Sequence, residues 1–339
     1  MTRKMATIRK IDALRPIEGA DAIECAIVGG WTCVVKKGEY TAGDLAVYCE
    51  IDSWIPHNIA PFLSKGNFPR VFNEVKGERL RTVKLRGQLS QGLLLDRYTV
   101  LDKVGEIYEG MDVSELLGIT KYEAPIPAEL AGEVKGMFPS VIPKTDQERI
   151  QNLSAELAEW KTENLSWEIT EKLDGSSMTV YVIDGEVGVC SRNLDLKRNV
   201  DNSLWRAAIR HDLEEKLKIA GGNIAVQGEL IGNGIQGNKY QMRDQDFYVY
   251  DIYDIDAGRY YTPAERVAFV TEHKLNHCPI LISNDRLGGG ETIENLLKYA
   301  EGNSELNPKQ EREGLVFKCN EKSVSFKAIS NKFLLKSGE

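Results

Sequence analysis

The sequence lacks long apolar runs, paired cysteines and an excess of positive charge, and each absence narrows the field. No apolar segment approaches the roughly 18 residues of a membrane-spanning helix, so no membrane span is expected. The opening residues, Met1-Thr-Arg-Lys-Met-Ala-Thr-Ile, run straight into Arg9, Lys10 and Asp12. That leaves no apolar core for a secretory leader, and an intracellular protein, cytoplasmic or nuclear, is expected. The six cysteines (Cys25, Cys33, Cys49, Cys190, Cys278, Cys319) are scattered without a C-x-x-C pair. A zinc module or disulfide framework is therefore not expected, and a reducing compartment fits. Histidine is scarce, with four in the chain. His273 and His277 have i, i+4 spacing, but Pro279 follows closely and no third ligand accompanies them. Gly288-Gly-Gly lacks the Lys-Ser/Thr of a phosphate loop and reads as a turn.

What the chain does contain is an ordinary globular composition, 42% hydrophobic and 28% charged over 339 residues, a length that suggests two domains. The net charge of −8 is unevenly spread. Residues 1–120 hold 16 Lys+Arg and 16 Asp+Glu; residues 121–339 hold 27 and 35. Inside the neutral part, Arg70, Lys76, Arg79, Arg81, Lys84 and Arg86 are offset only by Glu74 and Glu78. Such a stretch can hold phosphates, or it can be a solvated strand pair; charge alone does not decide.

Residues 1–120 read as short strands: Ala26-Ile-Val, Trp31-Thr-Cys-Val-Val and Leu45-Ala-Val-Tyr-Cys, punctuated by Gly29-Gly30, Lys37-Gly38 and Ala42-Gly43-Asp44. Arg79-Leu-Arg-Thr-Val-Lys-Leu-Arg alternates in part, which on one strand places basic side chains on one face. Gly92-Leu-Leu-Leu reads as a further strand. Many short strands in this span suggest a small barrel of the OB type. Residues 121–144, with Pro125, Pro127, Pro139 and Pro143, read as a linker. A second domain is expected over 145–339, opening with a capping box at Thr145-Asp-Gln-Glu148 ahead of Ile150, Leu153, Leu157 and Trp160 at helical spacing. Helices are expected over 202–219 and 292–301, and strands at Ser177-Met-Thr-Val-Tyr-Val-Ile and Phe247-Tyr-Val-Tyr.

The residues with the clearest chemistry begin at Glu171-Lys172-Leu-Asp174-Gly175. Alone, this is equally a hairpin turn closed by Asp-Gly. An ordered set follows it: Ser191-Arg192-Asn193, Gly228-Glu229-Leu-Ile-Gly232, Asp246-Phe-Tyr-Val-Tyr250-Asp251, Glu313-Gly-Leu-Val-Phe-Lys318 and Ser325-Phe-Lys327. Singly, Tyr250 can be core packing, Arg192 a surface ion pair, and Glu313 part of a charged turn; their joint order carries the argument. A lysine that attacks phosphorus must lose its proton, and lysine ordinarily holds it up to a pKa of about 10.4. Carboxylates at Asp174, Glu229 and Glu313 would raise that value further, and a divalent cation among them reverses the effect.

This ordered set resembles the covalent nucleotidyltransferases, ATP-dependent ligases and mRNA capping guanylyltransferases, over roughly residues 145–339. Gly228-Glu-Leu-Ile-Gly-Asn-Gly-Ile-Gln-Gly-Asn is similar to the phage second-type RNA ligases. DNA ligases and capping enzymes place an OB domain after the last motif. Here the candidate OB module comes first, and 12 residues follow Lys327. That order resembles the fifth RNA ligase family, as do Trp31-Thr-Cys-Val-Val-Lys-Lys-Gly, Glu50-Ile-Asp-Ser-Trp-Ile-Pro and Leu85-Arg-Gly-Gln-Leu-Ser-Gln-Gly. The resemblance implies an α+β chain: an N-terminal OB-like β-barrel, then a ligase-type, ATP-grasp-like nucleotidyltransferase domain with antiparallel sheets and flanking helices. It implies Lys172 as the nucleophile toward ATP. Glu171, Arg192, Glu229, Tyr250, Glu313, Lys318 and Lys327 would line the nucleotide pocket, with Tyr250 stacked on adenine. Asp174, Glu229 and Glu313 would hold Mg2+ or Mn2+ through its waters. The partner implied is a nicked duplex with an RNA 3′-OH end, gripped by a monomer using the basic stretch and aromatics such as Trp54 and Phe68. Relatives carry a second lysine in the last motif where this chain has Ile329, with Lys332 or Lys336 as stand-ins. A GTP-dependent capping enzyme or an inactive end-binding protein are the alternatives.

Overall fold

The computed structural model describes residues 3–123 and 132–337. Pro125 and Pro127 lie outside the described residues. The chain divides into two compact units, Met1–Pro125 with Leu334–Glu339, and Ile126–Phe333.

The first unit is built from short antiparallel strands. Leu45–Cys49 is the middle strand of one sheet, between Ala6–Lys10 and Leu93–Asp96. Ala13–Pro16, Ile23–Val28 and Trp31–Lys36 form a second. Thr120–Lys121, Ser53–Pro56, Val75–Arg79 and Arg70–Phe72 form a third. Alternation on these strands sends Ile8, Val47, Ile55 and Leu95 into one core, where Val100 of the helix Tyr98–Val104 joins them. Among the described residues these sheets do not close into a barrel, unlike the closed form expected.

The stretch Arg79–Arg86 is not one strand. Arg79 ends one strand, and Val83–Leu85 begins a hairpin with Gln88–Ser90. Arg86 (φ 47°) and Gly87 (φ 83°) make its two-residue turn, the left-handed pair that a tight hairpin requires. Trp54 is a second departure. Its ring is buried against Phe72 and Tyr122, and its indole N–H donates to the Val75 carbonyl, so it supports the third sheet from within. Phe68 is 97% exposed.

The second unit has two sheets. The larger runs Val134–Met137, Leu194–Leu196, Glu186–Cys190, Ser176–Ile183, Ile224–Gly232, Gln245–Asp254 and Arg259–Tyr260, with Asn276–His277 beside Gln245–Asp254 in parallel. The smaller runs Glu148–Arg149, Ser325–Ile329, Gly314–Cys319, Ser166–Lys172 and Ile280–Arg286; its Glu148–Arg149 edge is also parallel, so neither sheet is purely antiparallel. The segment expected as a linker therefore carries structure: Val134–Met137 extends the larger sheet, and Ile142 is buried with Tyr181, Cys190 and Ala225.

Each sheet has one apolar face covered by helices. Met178, Val180, Val226, Phe247 and Val249 of the larger sheet pack with Leu204, Trp205, Leu213, Leu217 and Phe269. Trp167, Ile169, Leu315, Phe317 and Phe326 of the smaller pack with Leu157, Trp160 and Leu296. Phe317 and Phe326 stack at 4.6 Å, so Phe326→Ala is expected to cost about 3–5 kcal/mol. The expected helix over 202–219 is two helices, Ser203–Arg210 and Leu213–Ala220, broken where Asp212 turns left-handed. Asn202 caps the first by accepting from the Leu204 and Trp205 amides. The capping box at Thr145–Glu148 does not form. Helix Ser154–Glu163 starts later, and Glu148 instead lies on a sheet edge. No helix among the described residues is long and apolar enough to cross a membrane.

Candidate active site

The faces of the two sheets away from the helices carry the polar residues, and strand register decides which ones meet. In an antiparallel pair, opposed residues point the same way. Across Ser166–Lys172, Gly314–Cys319 and Ser325–Ile329 the register sets Lys172 opposite Gly314, Glu168 opposite Lys318, and Val316 opposite Lys327. Lys172, Lys318, Lys327 and Glu168 therefore share one face. On the larger sheet Glu229 stands between Ser177 and Tyr248, and Gln227 between Thr179 and Asp251. The register jumps from Gln227↔Asp251 to Gly228↔Val249, which leaves Tyr250 without a partner. This bulge re-aims Tyr250 among the polar residues, where its hydroxyl lies 2.9 Å from that of Thr145 and 3.4 Å from that of Ser177.

Lys172 ends its strand at a turn that only glycine permits. A Cβ on Gly175 would stand 2.4 Å from the Leu230 carbonyl oxygen, so the turn lies directly on the strand carrying Glu229. The Gly175 amide donates to Glu229. Gly314 plays the same part beside Glu313, its Cβ position 2.3 Å from the Ala328 carbonyl oxygen. As a result the Lys172 ammonium lies 2.7 Å from the Glu313 carboxylate. Burial works to lower the Lys172 pKa, but Glu313, Glu229 and Asp174 outweigh it and hold the value above the ordinary one. The reciprocal effect falls on Glu229: burial, with Glu313 and Asp174 nearby, pushes its carboxyl up to about 8 despite Lys172. Asp174 pairs with Lys239, and its amide donates to the Tyr240 hydroxyl at 2.7 Å.

The other expected residues divide. Arg192 and Lys327 come together on one carboxylate, that of Asp146, at 3.3 and 2.9 Å. Lys318 is buried and donates to the Tyr250 carbonyl and the Asp251 carboxylate, linking the two sheets. Burial lowers its pKa, against the pull of Asp251. Glu171 alternates away from Lys172 and accepts the Glu305 amide at 2.8 Å, which ties down the loop before Glu313. Lys332 pairs with Glu301 at 2.9 Å. His273 and His277 serve packing: the first lies against Phe269, and the second accepts from Arg266 Nε at 2.8 Å. Residues that pattern reading did not single out as site residues are Asp146, Arg149, Lys239 and Tyr240. Arg149 is buried and opposite Lys327 in the parallel edge pair.

Comparison with known proteins decides the family. A family model described as RNA ligase matches residues 165–333, and an OB-fold domain model matches residues 5–97. Naegleria gruberi RNA ligase, as a glutamate-to-alanine variant with AMP and Mn, is 48% identical over 98% of both chains, with a TM-score of 0.90. The chain belongs to the RNA ligase family. The same Naegleria enzyme with PPi matches over 98% of both chains at a TM-score of 0.89. Another glutamate variant, with ATP and Mn, matches over 99% of this chain and 100% of that one at 0.90, again with 48% identity. A comparison with curated protein sequences returns no match. This RNA ligase is thus an ATP-dependent nucleotidyltransferase with an N-terminal OB-fold domain, and its solved relatives hold ATP or AMP with Mn.

Proposed function

We propose that this RNA ligase seals nicks between a 3′-hydroxyl and a 5′-phosphate through a lysyl-AMP on Lys172. The observation that carries the reading is the Lys172 ammonium held at 2.7 Å from Glu313 with Glu229 and Asp174 around it. In the Naegleria enzyme the varied aspartate stands two positions after the varied lysine, and a varied glutamate 57 after it. Asp174 and Glu229 stand at those separations from Lys172.

The chemistry follows from the charges. Lys172 is held protonated by its carboxylates, so its lone pair is unavailable until that negative charge is offset. Asp174, Glu229 and Glu313 fit a divalent cation for the same reason: a buried carboxyl at about 8 marks a site short of positive charge. When bound, Mg2+ or Mn2+ would supply charge neutralisation at the α-phosphate. Lys172 Nζ, its proton passed to water, then attacks the α-phosphorus; a P–N bond forms, the bond from the α-phosphorus to the bridging oxygen breaks, and pyrophosphate leaves. A 5′-phosphate oxygen next displaces the lysine to give a 5′-adenylylated end. Last, the 3′-hydroxyl gives its proton to water and its oxygen attacks that 5′-phosphorus; the phosphodiester forms, the bond to the bridging oxygen breaks, and AMP departs. Arg192 and Lys327 hold phosphate oxygens, and the Tyr250 ring offers a stacking face for adenine. In the first unit, exposed Lys84, Arg86 and Phe68 supply phosphate and stacking contacts to the duplex.

The test is a nicked duplex whose 3′-hydroxyl strand ends in RNA or in DNA, incubated with ATP and Mn2+. Ligation of the RNA-ended nick and build-up of the 5′-adenylylated end on the DNA-ended one are expected. Equal sealing of both, or transfer only to an unpaired 5′ end, would contradict the nick-sealing assignment.

A further inference from the structure

The segment from Pro143 to Arg149 belongs to none of the six motif blocks, yet nearly every residue in it touches one. The Lys144 ammonium donates to the Asn193 side chain at 2.7 Å. The Thr145 hydroxyl meets that of Tyr250 at 2.9 Å. Gln147 reaches the Asp251 carboxylate at 3.5 Å. The Pro143 carbonyl accepts from Gln227 at 3.0 Å. Between them, Asp146 receives Arg192 Nη2 on Oδ2 at 3.3 Å and Lys327 Nζ on Oδ1 at 2.9 Å. The strap is anchored at its far end, where Glu148 and Arg149 pair in parallel with Phe326 and Lys327.

The two cations on Asp146 come from different sheets. Arg192 follows a strand of the larger sheet, and Lys327 lies within the smaller. Without an anion between them they repel, and the Arg192 side chain is half exposed. A single carboxylate with one oxygen on each removes the repulsion and fixes both head groups. We propose that Asp146 is a positioning residue for the ligation reaction, holding Arg192 and Lys327 where the phosphates of ATP arrive. This rests on the reading of those two cations as phosphate ligands.

That role has a kinetic signature distinct from support of the fold. Asp146→Asn keeps the shape and removes one negative charge beside the incoming triphosphate. Ground-state attraction for ATP is therefore kept or increased, while the aligned arrangement needed in the transition state is lost. The experiment measures single-turnover self-adenylylation of the full chain with labelled ATP and Mn2+, across ATP concentrations. The variants are Asp146→Asn, Asp146→Glu, Lys327→Ala, Arg192→Ala and the double variant Asp146→Asn with Lys327→Ala. The expected result is a maximal rate at least tenfold lower in Asp146→Asn with half-saturating ATP unchanged or lower. Partial recovery in Asp146→Glu is expected, with no further loss when Asp146→Asn is added to Lys327→Ala. A raised half-saturating ATP with an unchanged maximal rate overturns the proposal. So do full additivity in the double variant and wild-type kinetics in Asp146→Asn. If Lys327→Ala and Arg192→Ala themselves leave adenylylation untouched, the phosphate-ligand reading fails first, and that outcome is separable from a failure of Asp146 alone.

Discussion

In the second unit four cations stand against four carboxylates: Lys172 against Glu313, Lys318 against Asp251, Lys327 against Asp146, and Arg266 against Glu168. In the first unit Arg70, Lys76, Arg81, Lys84 and Arg86 are exposed, and Arg70 reaches Glu78 only at 3.9 Å. The contrast is between charges that define one geometry and charges that define a potential. Buried pairs are costly to form and strongly destabilising to break by half, so removing one partner is felt at the other. Exposed cations contribute little to stability but attract a polyanion regardless of sequence. A ligase needs both, one to fix a nucleotide and one to find a backbone.

Four experiments press on that contrast, from the largest effect down. Glu313→Ala removes the partner of Lys172, and self-adenylylation is expected to fall by at least ~100-fold, as loss of a preorganised charged group typically does; single-turnover labelling measures it, and a change below tenfold would break the comparison at its strongest point. Arg266→Ala leaves Glu168 buried without its cation and should cost about 3–5 kcal/mol in denaturant unfolding. Lys84→Ala in the same assay should stay within about 0.5 kcal/mol. Lys84→Glu combined with Arg86→Glu should weaken binding to a nicked RNA duplex several-fold and flatten its salt dependence, read by fluorescence anisotropy, while self-adenylylation stays at wild-type level. Equal losses in both assays would mean the two regions are not specialised.

The smallest effect is a pH dependence. His277 is held neutral by burial and by the neighbouring Arg266, which lower its pKa to about 4, well under the ordinary 6.5. The unfolded chain binds this proton first as pH falls, so the stabilising contribution is intact above 6.5 and lost on the way down through 4. His277→Gln should therefore lose less melting temperature than wild type between pH 7 and 4.5, by a few degrees at most.

The proposed nucleophile Lys172 and its carboxylates stood out in the sequence through the joint order of their motifs, and in the fold glycines fix two of them: Gly175 and Gly314 sit where a Cβ would strike a carbonyl oxygen. The strand positions of Glu229 and Lys327 follow from alternation. What was not legible depended on contacts between distant segments. The bulge that frees Tyr250 leaves no local signature in Val249-Tyr-Asp251. Thr145-Asp-Gln-Glu148 has the composition of a helix cap, but its side chains find Tyr250, Arg192, Lys327 and Asp251 instead of backbone amides. Trp54, expected among the aromatics that grip the duplex, is drawn inward by Phe72 and Tyr122. The turn at Arg86-Gly87 was the missed local signal, since a glycine after four alternating positions marks a hairpin.

The most direct measurement is incubation of the protein with α-labelled ATP or GTP and Mn2+, followed by denaturing electrophoresis, with Lys172→Ala alongside. The account predicts label from ATP that survives denaturation in the wild type and is absent in the variant. Label retained by Lys172→Ala, label from GTP alone, or no label from either nucleotide in a folded, metal-supplied protein would contradict it.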